Sequence, residues 1–216
     1  MTRVSVITGG AGGMGVATAK IVGQDHTVVL ADVRQDRLDM AAAELAALGI
    51  TAIAVNADVT DRAAVDQLFA TATGLGPVIS VVHTAGVSPS MGAADYVMRT
   101  NAVGTVNVNE AFYGAAAEGA AIVNVASMAA HLLPDEIIPT AKFPLALTDE
   151  DAFLAEMAAA CAFAPEEVRS GMAYGVSKNF VKWYSSSQAE RFNAKGFRIV
   201  SVSPGSWRCT FRTGRN

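Results

Sequence analysis

The stretch VSVITGGAGGMGVAT, Val4 to Thr18, places the tightest limit on the fold. An apolar, β-branched run meets a segment in which five of the seven residues from Gly9 to Gly15 are glycine. Without Cβ atoms a backbone can turn sharply and come close to a ligand. A strand ending here and a helix starting here would aim unpaired N–H groups at an anion, as pyrophosphate sites do. Two spacings overlay the run: Gly10, Gly12 and Gly15 match G-x-G-x-x-G, while Thr8, Gly9, Gly13 and Gly15 match T-G-x-x-x-G-x-G. No Lys-Ser/Thr pair follows, which disfavours an ATP-binding loop.

Beyond the glycines, short apolar runs alternate with longer segments of helical period, the pattern of βαβ units and a parallel sheet. The expected strands are Val4–Thr8, Thr27–Asp32, Ala52–Asn56, Val78–Thr84, Ala121–Ala126 and Arg198–Ser203. Their nearly continuous apolar character implies cover on both faces. Arg34–Leu48 sets Leu38, Ala41, Ala42, Leu45 and Leu48 on one stripe, with Gly49 placed to cap the helix. Asp61–Ala72 and a long segment near Ala93–Ala117 read as further helices.

A chain of 216 residues, 51% apolar and 17% charged, suits one compact domain. Its net charge of −4 argues against nucleic acid and for a small-molecule partner. Cys161 and Cys209 lack metal-ligand spacing and point to a reducing compartment. The glycine run leaves no room for a leader before it, and no apolar stretch reaches spanning length, so a cytoplasmic protein without a membrane partner is expected.

Two regions break the alternation. Met128–Ser170 carries Pro134, Pro139, Pro144 and Pro165, plus a helical segment opening at Thr148 with Asp151 three residues on, near to a capping box. Phe153, Leu154, Met157 and Cys161 share one face of it. The end, SWRCTFRTGRN (206–216), has three arginines, no acid and no period.

Asp32 ends the second strand twenty residues after Gly12, where a carboxylate can accept from the ribose hydroxyls of an adenosine. A 2′-phosphate would meet like charge there, favouring NAD over NADP, with Arg34 as the opposing consideration. In MAYGVSKNF, Tyr174 and Lys178 lie four apart and stack on one helical face. A phenol is a poor base at neutral pH. An ammonium about 4 Å away stabilises the phenolate by roughly 4 kcal/mol at an effective dielectric of about 20, enough to make it serviceable as a general base.

With these motifs the chain resembles the short-chain dehydrogenase/reductase family from its first strand to Pro204–Gly205. The resemblance implies a single Rossmann-like, doubly wound parallel sheet with helices on both faces. Six strands are readable in the order 3-2-1-4-5-6, and the family's seventh lacks a candidate. It implies a cofactor loop at Gly9, Gly13, Met14 and Gly15, cofactor contacts from Asp32 and Val33, and an adenine contact at Asp58–Val59. His83-Thr84-Ala85-Gly86 stands for the family's N-N-A-G, keeping Ala85 and Gly86 but neither asparagine. Asn101, Ser127, Tyr174 and Lys178 match the catalytic tetrad, and Tyr174, Lys178, Pro204 and Gly205 complete the cofactor set. The implied activity is NAD-dependent interconversion of a secondary alcohol and a carbonyl, in a homodimer or homotetramer.

Two departures shape the expectations. Ser127 and Tyr174 are 174 − 127 = 47 positions apart where the family usually has about a dozen, resembling the 3α-hydroxysteroid dehydrogenase/carbonyl reductase subgroup. Region 128–170 is then an insertion over or near the site, with Leu132, Leu133, Ile137, Ile138 and Phe143 either facing a hydrophobic, steroid-like substrate or serving packing. His131 could lie near the site or satisfy local polar groups. Past Pro204–Gly205 the family's carboxamide-binding Thr position is Cys209, with Thr210 next. The expectation for the 206–216 tail is a shortened or altered end that costs one wall of the pocket, and the rival reading is a weakly active or non-catalytic NAD(P)-binding protein.

Overall fold

The computed structural model describes residues 2–205. Six parallel strands, β1 (Val4–Thr8), β2 (Thr27–Asp32), β3 (Ala52–Asn56), β4 (Val78–His83), β5 (Ala121–Val125) and β6 (Arg198–Val202), form one sheet in the order 3-2-1-4-5-6. Three strands have the expected bounds and three end one residue sooner. β1 sits centrally, in register Val4↔Thr27 with β2 and Thr8↔His83 with β4, and all five of its residues are buried. Side chains alternate across a strand, so Val4 and Val6 join the core on one face while Ile7 joins Leu30, Leu38 and Leu45 on the other.

The connecting helices are α1 (Gly13–Val22), α2 (Gln35–Ala46), α3 (Arg62–Leu75), α4 (Ala94–Met98), α5 (Gly104–Ala115), α6 (Glu150–Cys161), α7 (Glu166–Ser187) and α8 (Ala189–Ala194). Asp61 caps α3 by accepting from Ala63 N at 2.9 Å and Ala64 N at 3.3 Å. α2 ends two residues earlier than its stripe suggests. Gly49 then turns at φ +76°, leaving Leu48 exposed while Ile50 enters the core in its place. The long helix expected over 93–117 exists as α4 and α5 joined by a π turn, Arg99–Val103, which carries Asn101.

Between β5 and α7 the chain runs through 3-10 turns at Met128–His131, Asp135–Ile137 and Thr140–Leu147 before α6. Asp149, not Thr148, caps α6, accepting from Ala152 N at 2.9 Å; the Asp side chain one position later reaches the free N–H. This segment is anchored on α7 by aromatic packing. The Phe143 ring lies 5.3 Å from Phe180 and 5.4 Å from Trp183, and Phe153 lies 5.1 Å from Phe180. Leu133 covers Gly175, where a Cβ would fall 2.7 Å from Leu133 Cδ1. Ile138 and Phe143 are buried and Leu132 is exposed. Phe143→Ala is expected to cost about 3–5 kcal/mol, because it leaves a large cavity beneath α7, as read from urea unfolding.

β6 is an edge strand among the described residues, with Val200 and Val202 exposed. The expectations for the tail, Cys209 and Thr210 included, lie outside the described residues. No helix among the described residues is long and apolar enough to cross a membrane.

Candidate active site

The sheet's carboxyl edge gathers the predicted residues. β1 delivers the chain into Gly9, whose φ of +63° is left-handed and whose absent Cβ would fall 2.7 Å from Ala85 N. Only glycine permits this approach of the first loop to the loop after β4. Gly12 then precedes α1, a ten-residue helix with no side-chain cap and no acid in its first turn, so its leading N–H groups stay available to an anion.

Two clefts open side by side along this edge. One, of about 470 Å³, is walled by Gly9, Gly13, Met14 and Gly15 on the loop, by Asp32, Val33, Asp58 and Val59 after β2 and β3, and by Ala85 and Gly86 after β4. The other, of about 380 Å³, reaches from Gly13, Met14 and Gly86 to Ser127, Tyr174, Lys178, Pro204 and Gly205. The residues they share make them one elongated crevice. Every predicted site residue except Asn101 lines it. No residue from 128 to 173 lines the second cleft.

At the far end, Asp32 accepts from Arg34 N at 3.1 Å and from Ala11 N at 3.4 Å. The Arg34 guanidinium turns instead to Asp36, donating from Nε at 3.0 Å and Nη2 at 2.8 Å. The Asp36 side chain, held below the usual carboxylate range chiefly by this hydrogen bond, therefore occupies the cation that could have answered a 2′-phosphate.

At the near end, Tyr174 and Lys178 project from one face of α7, with Lys178 Nζ 5.9 Å from the centre of the Tyr174 ring. Lys178 is buried and donates to Val125 O at 2.8 Å, and desolvation holds its ammonium down to about 8. Ser127 starts the 3-10 turn after β5, its Oγ accepting from Ala129 N at 3.2 Å. Ala126 N donates to Val202 O at 2.8 Å and Met128 N to Pro204 O at 2.9 Å, which brings Pro204–Gly205 beside Ser127. His131 pairs through Nε2 with Ser203 Oγ at 3.2 Å, a tie of the same two segments.

Asn101 lies behind the crevice. Its Oδ1 accepts from Val87 N at 2.8 Å and its Nδ2 donates to Val87 O at 3.1 Å and Ser177 Oγ at 3.2 Å. A Cβ on Gly86 would fall 3.0 Å from Asn101 Oδ1 and 3.3 Å from Lys178 Nζ, so the missing side chain is what lets these two groups meet the loop. At the end of β4, His83 ties β1 to α5, contacting Thr8 Oγ1 through Nδ1 at 2.7 Å and Thr105 Oγ1 through Nε2 at 3.2 Å. Thr84 Oγ1 donates to Thr8 O at 2.7 Å. Burial pushes the His83 imidazole down to about 3, with the Lys178 charge adding to it. In the unfolded chain it titrates near 6.5. Between these values the unfolded state binds the extra proton, so His83 makes stability fall as pH drops below about 6.5, by up to about 1.4 kcal/mol per pH unit. Urea midpoints across pH 4–7 check this.

Met91 and Tyr96, on the lip of the first cleft, and Ser177, the partner of Asn101, are absent from the sequence reading. A lone Met or Tyr in an irregular loop carries no periodic signal, and Ser177 is visible only through its position inside the Y-x-x-x-K turn.

The family described as short chain dehydrogenase matches residues 3–137. A short-chain dehydrogenase/reductase of Alternaria brassicicola, bsc3, is 27% identical over 208 residues, covering 95% of this chain and 74% of that protein. The 1-deoxy-11-beta-hydroxypentalenate dehydrogenase of Streptomyces exfoliatus is 43% identical over 93 residues, 42% of this chain and 34% of its own length. Among solved structures, a single-residue variant of the actinorhodin polyketide ketoreductase with NADPH superposes with a TM-score of 0.74 at 20% identity, covering 96% of this chain and 71% of its own. The six-stranded parallel sheet, the glycine crevice and a family match over more than half the residues agree, and the chain belongs to the short chain dehydrogenase family of oxidoreductases.

Proposed function

We propose that the protein interconverts a secondary alcohol and its carbonyl compound with a nicotinamide dinucleotide, NAD in preference to NADP. The observation that carries this reading is the continuity of the crevice: the glycine loop with its uncapped helix, the Asp32 carboxylate and the Tyr174–Lys178 pair share one surface. The residues present fit such a cofactor. Gly9 leaves room where a Cβ would strike Ala85, α1 offers free N–H groups for a diphosphate, and Asp32 is placed for ribose hydroxyls.

When bound, the dinucleotide supplies the hydride donor or acceptor. The chain supplies the proton chemistry. In oxidation the Tyr174 phenolate takes the alcohol proton, and in reduction the Tyr174 hydroxyl returns it to the carbonyl oxygen. Ser127 Oγ hydrogen-bonds the same oxygen as its charge changes. The Lys178 ammonium lies 5.9 Å from the centre of the Tyr174 ring, and among the described residues it spends one hydrogen bond, on Val125 O, leaving protons beside Gly86 for ribose oxygens. Asn101 holds the 86–88 loop in place by its two bonds to Val87.

The substrate is a small alcohol or ketone with an apolar body, a reading supported by Met14, Val87, Met91 and Pro204 around the near cleft. NADH binding followed by turnover on a panel of steroid, aliphatic and aromatic carbonyls tests it. Binding with no turnover on any carbonyl is the outcome expected of a non-catalytic nucleotide-binding protein and overturns the enzyme reading. For the cofactor, Asp32→Asn is expected to raise NADPH affinity by about tenfold or more by removing like charge, with a small loss for NADH, as measured by nicotinamide fluorescence.

A further inference from the structure

We propose that His83 is a positioning residue of this site, a neutral Nε2–H imidazole that fixes one direction of hydrogen bonding from the glycine-loop strand to the segment bearing Asn101. The proposal rests on the reading of Asn101 and Tyr174 as working parts of the site. The direction follows from counting protons. Thr105 Oγ1 donates its single proton to Asn101 O at 2.7 Å, so toward His83 it can only accept. Nε2, 3.2 Å from that oxygen, must therefore carry hydrogen. Nδ1 is then the bare nitrogen, and at 2.7 Å it receives the Thr8 hydroxyl proton.

The line continues on both sides. Thr8 Oγ1 keeps a lone pair for Ala85 N at 3.4 Å, next to Gly86. Asn101 clamps Val87 and donates to Ser177 Oγ, which donates to Tyr174 O at 2.9 Å. Thr8, His83, Asn101, Thr105 and Ser177 are all buried, so no water replaces a lost partner cheaply. Each hydroxyl and ring nitrogen has one role compatible with its neighbours. The other His83 tautomer is excluded, because it would set a hydrogen against the Thr8 hydroxyl proton and a lone pair against Thr105, whose proton is already given to Asn101 O.

Long-range ¹⁵N–¹H correlation spectra of the ¹⁵N-histidine-labelled protein test this without cofactor or substrate, with His83→Asn used to assign the signal among His26, His83 and His131. The expected result is a neutral Nε2–H tautomer from about pH 5 to 8. Thr105→Val removes the acceptor and leaves the buried Nε2–H without its partner, so the His83 Nε2–H signal should shift while Nδ1 still receives the Thr8 proton. Amide exchange at Val87, the Asn101 contact, should then quicken at least tenfold. On a carbonyl the enzyme turns over, kcat should fall several-fold with little change in KM. Thr105→Ser, which keeps the hydroxyl, should restore all three. An Nδ1–H tautomer in the unsubstituted protein, an Nε2–H signal indifferent to Thr105→Val, or unchanged Val87 exchange overturns the proposal. An unsubstituted protein that turns over no carbonyl refutes the oxidoreductase reading instead, and leaves the tautomer and exchange results to decide the role of His83.

Discussion

Tyr174→Phe should lower turnover by about a thousandfold while leaving NADH affinity within about threefold. General acid–base groups typically contribute about 10²- to 10⁴-fold, and within the near cleft Tyr174 is the phenol that shares its wall with both Ser127 and Lys178. The ring is only partly buried and packs against the core, so the phenylalanine keeps its contacts and the fold should be unaffected. The separation of effects is the diagnostic feature. Lost binding along with lost turnover would mean that the hydroxyl helps to hold the dinucleotide, and unchanged turnover would place the proton transfer elsewhere.

Lys178→Met should lower turnover by about a hundredfold and yet make the protein harder to unfold. The ammonium is almost wholly desolvated and, among the described residues, makes one hydrogen bond, to Val125 O. Its folded-state value is held down to about 8 from an ordinary 10.5. Below about pH 8 both states carry the proton and the folded state bears the whole burial cost. From about 8 to 10.5 only the unfolded chain still holds it, so stability from this group rises with pH and falls again as pH is lowered. At about 1.4 kcal/mol per pH unit the interval amounts to about 3 kcal/mol. Methionine removes that cost but leaves the Val125 carbonyl without its donor, worth about 1 kcal/mol, so a net gain of roughly 2 kcal/mol at about pH 7 is expected. Calorimetry should show a melting temperature higher by a few degrees, and the alkaline rise in stability should vanish. A destabilised variant would mean that the charge is stabilised in the fold rather than tolerated there for its function.

The strands were legible because each is a short apolar run closed by a polar residue or glycine, and a central parallel strand such as β1 needs apolar side chains on both faces. Helix ends were less legible. Leu48 fits the α2 stripe by spacing, but the backbone turns at Gly49 before it can be used, and Thr148 and Asp149 both offer capping oxygens until the chain direction chooses between them. The π turn at Arg99–Val103 has no compositional mark. It carries Asn101, whose side chain accepts from Val87 N, a tertiary contact that no local sequence signal announces. The crevice itself was legible from motif spacing, since Gly9, Asp32, Asp58, Gly86 and Ser127 all lie at or just past strand ends and one sheet brings strand ends together. Asn101 acting from behind Gly86, and the Thr8–His83–Thr105 line, depend on contacts between residues 14 to 75 positions apart and were not.

A crystal structure of the protein with NAD⁺ is the most direct test of the central claim, that the glycine loop and the Tyr174–Lys178 pair form one dinucleotide site. The diphosphate should lie over the Gly9–Gly15 turn and the start of α1. The adenosine ribose should reach Asp32, and the nicotinamide should sit beside Tyr174 with Lys178 turned to its ribose. A nucleotide whose nicotinamide end points away from Tyr174, or that binds outside the crevice altogether, would contradict it.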